Sequence, residues 1–255
     1  MSRSFLTIAC EGAQLVATLD AAPGASGLLI VSGGNETRAG AGNGQARLAA
    51  RLAARGAPVL RFDRRGVGDS SGPNLGFRES APDIAAALAA LRAAQPHLTR
   101  IAAFGNCDAA SALMLAQGAG ADALILANPW SHDRDDGAPD PAALRHHYRR
   151  RLADRGALSR LLTGRIALKP LLASLRGTLA PAVPESALLA DMRQGLAGFT
   201  GPAHILLAER DRTAQAFLAA WDRRDPRLRR CAGASHGFVE PAAQAWLEEA
   251  ILQSL

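Results

Sequence analysis

Three residues, met in the order Cys107, Asp211 and His236, have the side chains that nucleophilic attack on a carbonyl requires. A thiol becomes a nucleophile once an imidazole takes its proton, and a carboxylate on the far ring nitrogen holds that imidazole in the useful tautomer. Cys107 sits in Gly105-Asn106-Cys107-Asp108-Ala109, between an apolar run, Arg100 to Phe104, and a helical segment, Ala109 to Gln117. A strand, a tight turn and a helix in that order form a nucleophile elbow, with the small residues Gly105 and Ala109 two positions either side of the sulfur. A helix N-terminus behind the thiol favours the thiolate. Taken alone, Cys107 is equally readable as a small buried apolar residue.

Asp211 follows the apolar run Ala203 to Leu207, and His236 lies in Ala234-Ser235-His236-Gly237-Phe238 after a last candidate strand, Pro226 to Cys231. Asp133 is the alternative acid. Val31-Ser32-Gly33-Gly34-Asn35 ends an earlier strand, where the Gly34 amide is the expected oxyanion donor, with the Asp108 amide as the second. Asn35, Trp130 and His132 are the expected substrate contacts. His97, His146, His147 and His204 read as structural or solvated. No group of ligands has metal-site spacing, and His132 with Asp133, Asp135 and Asp136 reads as a polar loop.

Such residues need a sheet to hold them. Short apolar runs at Gly27 to Ser32, Pro58 to Phe62, Arg100 to Phe104, Ala123 to Ala127 and Ala203 to Leu207 have the length and continuity of parallel strands buried on both faces. Between them Gln45 to Arg55, Asp83 to Ala94 and Asp108 to Gln117 carry helical spacing, which predicts an α/β architecture with helices on both sides. Phe5 to Ala9 and Gln14 to Leu19 predict an antiparallel hairpin at one edge. The rhythm stops from residue 130 to 200. The expected organisation is one core from 1–129 and 201–255, with a helical cap inserted between.

The Gly66-Val67-Gly68 of Phe62-Asp63-Arg64-Arg65-Gly66 and its continuation is not a dinucleotide fingerprint, because it follows a mid-sheet strand and opens no helix. Asp63, Arg64 and Ser70 are expected to tie that loop down, and no cofactor is implied. The net charge of +6 comes almost wholly from arginine, spread along the chain, with few aromatic residues to stack on bases. Nucleic acid is therefore not the expected partner. Arg145 to Arg151 reads as a solvated face, with contact to an anionic polymer or lipid headgroup as the alternative. Three cysteines without paired spacing point to the reducing cytoplasm.

Together these segments resemble the α/β-hydrolase superfamily, whose triad runs nucleophile, acid, histidine along the chain. More narrowly, Val31-Ser32-Gly33-Gly34 with Arg38-Ala39-Gly40, then Leu60 to Gly66, Cys107-Asp108-Ala109-Ala110-Ser111 and Asn128-Pro129-Trp130, resemble the first of two hydrolases associated with exosortase A. Gly34-Asn35-Glu36-Thr37, and Asn106 before the cysteine, depart from that pattern. The resemblance implies a hydrolase or acyltransferase acting on an ester or thioester, on a small or glycan- or lipid-linked acyl substrate, in exopolysaccharide or cell-envelope work. A non-catalytic protein of the same fold, binding such a carbohydrate or lipid intermediate or a partner, is the alternative.

Overall fold

The computed structural model describes residues 2–132 and 186–255. Its frame is one eight-stranded sheet. In chain order the strands are β1 (Ser2–Cys10), β2 (Ala13–Ala21), β3 (Ser26–Val31), β4 (Val59–Phe62), β5 (Arg100–Asn106), β6 (Ala123–Ala127), β7 (Ala203–Ala208) and β8 (Leu228–Cys231). Across the sheet they run β1-β2-β4-β3-β5-β6-β7-β8, and β3 to β8 are parallel. β1 and β2 form the expected hairpin, which joins the sheet antiparallel to β4. Only Glu11 and Gly12 remain as its turn, both at positive φ, the backbone that a two-residue hairpin loop demands.

The crossovers carry the helices α1 (Gly44–Ala54), α2 (Ala81–Ala94), α3 (Asp108–Leu115), α4 (Ala187–Gly198) and α5 (Arg212–Ala220), and α6 (Pro241–Leu252) follows the last strand. Side chains alternate across each strand, so one chain segment feeds two cores. Leu29, Val31, Ala103, Leu124, Leu126 and Ile205 face the side covered by α2 and α3, while Leu28, Ile30, Phe104, Ile125 and Leu206 face α1 and α6. The continuous apolar runs of the sequence are this double burial. The fold is the α/β-hydrolase fold, with a mostly parallel sheet flanked by helices.

Within the interval 130–200, residues 133–185 lie outside the described residues, and with them Asp133, Asp135, Asp136 and the arginine-rich stretch 145–151. The described end of the interval, α4, begins at Ser186, whose hydroxyl accepts from the Leu189 amide as an N-cap. Leu188, Leu189, Met192 and Leu196 share the core beside α3.

Parallel strands deliver all their carboxyl ends to one edge, and β3, β5 and β6 lie side by side there. Val31 pairs with Gly105, and Asn106 with Ala127. The segments after these strands, and after β7 and β8, therefore meet. Among the described residues no helix is long and apolar enough to cross a membrane.

Candidate active site

The chain leaves the central strand β5 at Asn106 and enters α3 at Asp108, which leaves Cys107 to make the whole change of direction. Its backbone takes φ 62° and ψ −127°, a conformation that costs a non-glycine residue about 1–3 kcal/mol. Surrounding hydrogen bonds hold it there. Its amide donates to Ala127 O at 3.0 Å, and its carbonyl accepts from Ala110, Ser111 and Trp130 at 3.1, 3.3 and 3.2 Å. The turn is so close that a Cβ on Gly105 would lie 2.6 Å from the Ala109 carbonyl carbon. The side chain that results is half-buried, at the N-terminus of α3.

His236 comes from the loop after β8. Its Nδ1 lies 3.0 Å from Asp211 Oδ2, and the Cys107 sulfur is near enough to act on the charge of the imidazole. Asp211 is the N-cap of α5, and the same Oδ2 accepts from the Ala214 amide at 3.0 Å. The carboxylate is 8% exposed and the imidazole 43% exposed, so the acid is dry while the ring reaches the open side. The hydrogen bond to Asp211, and after it the neighbouring Cys107 sulfur, push His236 up to about 10 against the burial that opposes its charge. The structure thus sets Asp211 and His236 beside Cys107, which precedes both by more than a hundred positions.

The other thiols have different surroundings. Burial, then the hydrogen bond and charge of Asp83, push Cys10 up to about 11, and burial pushes Cys231 up too. Both are buried, protonated thiols at neutral pH.

Two asparagines anchor the histidine loop. Asn128 is fully buried, with φ 44°, just past β6. Its Nδ2 donates to His236 O at 3.0 Å and to Asn106 Oδ1 at 3.0 Å, while its Oδ1 accepts from the Ala208 amide at 2.8 Å. Asn106 Nδ2 donates to the same His236 carbonyl at 3.2 Å. The ends of β5, β6 and β7 are stitched to the histidine through this pair of amides. Neither residue stood out in the sequence as part of the site, although a polar amide at the end of a wholly apolar strand is a signal that could have found them.

Gly34 and Asp108 lie together at the ends of adjacent strands, and the Gly34 amide donates to Asp108 Oδ1 at 2.6 Å. Arg64 closes the group: it donates to Gly34 O, lies 3.5 Å from Asp108 Oδ2, and donates to Ser80 Oγ at 3.2 Å. Arg64 enters the group as a partner of the Gly34 turn, a role the sequence had not marked. Asn35 is exposed beside it and accepts from Asn74 Nδ2 at 2.8 Å. Trp130 is half-buried: its indole donates to His132 O at 2.9 Å, and the two rings meet edge to face at 5.2 Å. Asp63 and Ser70 hold the β4 loop, Asp63 by accepting from Arg38 and the Asp69 amide, Ser70 by donating to Asp63 O. Among the described residues no three His, Cys, Asp or Glu side chains are grouped to hold a metal.

Residues 28–250 match the model of the family described as "Alpha/beta hydrolase family". The chain belongs to the α/β-hydrolase family. Solved structures of this fold align with nearly its whole length. An α/β hydrolase from a Penicillium species superposes with a TM-score of 0.64 at 17% identity, covering 98% of this chain and 97% of that one. An esterase from Pyrococcus furiosus gives 0.61 at 15% identity, with 99% and 91% covered. The thioesterase domain from the curacin biosynthetic pathway gives 0.58 at 14% identity, with 99% and 100% covered. At these identities the α/β-hydrolase chain shares their fold, and its chemistry rests on its own residues. No functionally curated sequence matches it.

Proposed function

We propose that this α/β hydrolase is a cysteine-nucleophile hydrolase or acyltransferase acting on an ester or thioester. The reading is carried by one observation: a carboxylate bound to an imidazole that lies beside a sulfur, on loops after β7, β8 and β5. With its proton held by His236, the sulfur of Cys107 attacks the acyl carbon, and the carbonyl π pair moves onto oxygen. Collapse expels the alkoxide or thiolate, which takes the proton of His236. Water or an alcohol then loses its proton to His236 as it attacks the thioester, and collapse releases the acid or new ester while the departing sulfur recovers a share in that proton, restoring Cys107 and His236. Asp211 orients the ring throughout.

In this reading the amides of Gly34 and Asp108 receive the oxyanion, the latter among first-turn amides that have no intrahelical acceptor. Asn35, Trp130 and His132 line the approach. The esterase and thioesterase among the structural neighbours favour an activated acyl substrate, small or linked to a glycan or lipid. The exosortase-associated resemblance supplies the link to exopolysaccharide or envelope processing, and the free thiols suit a cytoplasmic setting. Kinetics with p-nitrophenyl and thioester substrates test the reading: Cys107→Ala and His236→Ala should each lose on the order of 10³-fold or more in kcat/KM. Activity retained in both variants would overturn it. Product analysis with competing alcohols separates transfer from hydrolysis.

A second reading, a non-catalytic binding protein of the same fold, is favoured by the Asp108 carboxylate on the Gly34 amide, since a hole that holds an anion is a poor place for another. Unchanged binding of a glycan or lipid intermediate in His236→Ala, with no turnover in the parent protein, would favour it.

A further inference from the structure

The carboxylate of Asp108 occupies the position that the proposed chemistry needs. Oδ1 takes the Gly34 amide at 2.6 Å, and Oδ2 faces Arg64 at 3.5 Å. Arg64 is nearly buried and is itself pinned to Gly34 O and Ser80 Oγ, so the positive charge that compensates the carboxylate is fixed in place. Gly33 lets the carboxylate lie against the turn: a Cβ there would stand 2.9 Å from Asp108 Oδ1 and 2.5 Å from Asn106 O. The site is therefore built around this contact from three sides. A forming oxyanion would lose one of its two amides to a resident anion and meet that anion's charge at close range in a half-buried place.

We propose that Asp108 determines which acyl donors this site favours: its carboxylate occupies the Gly34 half of the oxyanion site, so that simple activated esters acylate Cys107 slowly and a substrate able to displace that side chain reacts faster. The inference rests on Cys107 being the nucleophile. Acylation needs the oxyanion site, whereas alkylation of the same sulfur is a displacement at carbon that forms no oxyanion. The ratio of the two rates isolates the Gly34 amide from the reactivity of the thiol.

The experiment measures, by intact mass over time, acylation by p-nitrophenyl acetate and alkylation by iodoacetamide at Cys107, in the full-length protein and in Asp108→Ala and Asp108→Asn. Asp108→Ala removes the resident acceptor. Asp108→Asn keeps the size and the helix start while removing the charge. Because losing one oxyanion donor costs about 10²–10³-fold, restoring one should raise the acylation-to-alkylation ratio on the order of tenfold or more in the alanine variant, with a smaller rise in the asparagine variant. A ratio equal to or below that of the parent in both variants, with Cys107 still alkylated, overturns the role of Asp108 and leaves the nucleophile standing. A parent protein whose Cys107 reacts with neither reagent overturns the nucleophile and this inference with it.

Discussion

Asn128 Nδ2 donates to the backbone carbonyl of His236 at 3.0 Å, so a residue at the end of β6 sets where the histidine loop stands. Three polar partners satisfy this fully buried amide, and its Oδ1 satisfies the Ala208 amide in turn. Asn128→Ala is expected to destabilise the fold by about 1–3 kcal/mol in urea unfolding, the penalty of leaving buried groups unpaired. In the folded protein its kcat should fall by roughly 10²-fold with little change in KM, because a 1 Å misplacement of a reacting group carries that cost. Asn106→Ala, which removes the longer 3.2 Å bond, should do less on both measures.

Asp211 contributes most to the raised His236, followed by the Cys107 sulfur. Asp211→Asn keeps a hydrogen-bonding group but removes the charge, so the imidazole should titrate much nearer its ordinary value of 6.5 than its present value of about 10. If the imidazolium supplies the leaving-group proton, the alkaline limb of kcat/KM should move down in pH by the same amount. The stability consequence has a definite sign. A group raised on folding stabilises fully below its unfolded value and loses that contribution as pH climbs through the folded one, so the parent should lose stability between about pH 6.5 and 10 and Asp211→Asn should lose less over that window.

Gly105 admits no side chain because Ala109 backbone fills the space where one would stand. Gly105→Ala is expected to cost roughly 1–3 kcal/mol or more by overpacking, and to abolish acylation even in the folded fraction by pushing α3 and the Asp108 amide away from the sulfur. Differential scanning calorimetry and the burst amplitude check the two parts separately.

Asp63 has a fully buried carboxylate that holds Arg38 and the Asp69 amide. Asp63→Ala leaves the Asp69 amide without its acceptor while Arg38 keeps Asp69 at 2.9 Å and Thr18 at 3.1 Å, so it should destabilise the fold by about 1–3 kcal/mol. Chemical denaturation would show it as a lowered midpoint, far from the sulfur.

Much of this arrangement can be read in the residues. The double-faced apolar runs such as Gly27 to Ser32 and Ala123 to Ala127 announce parallel strands, and their spacing leaves room for little but crossover helices. The elbow around Cys107 is legible because a tight turn tolerates only small neighbours. What the sequence does not reveal is side-chain pairing across strands that lie far apart along the chain. Asn106 reads as a departure from a family pattern, yet with Asn128 it forms the anchor of His236. Asp108 contributes an amide in the sequence reading, but its carboxylate faces the Gly34 amide, a contact that depends on the register of β3 beside β5. Hydrophobic periodicity reports which face is buried and carries no information about which polar atoms meet at the edge.

The central claim, that Cys107 is the nucleophile and is activated by His236 and Asp211, is tested most directly by intact mass after brief reaction with an activated ester, with peptide mapping of the modified site. The account predicts a single acyl adduct on Cys107, absent in Cys107→Ala and strongly slowed in His236→Ala, with the buried, protonated Cys10 and Cys231 unmodified. An adduct that maps to Cys10 or Cys231, or one that forms on Cys107 equally fast without His236, would contradict it.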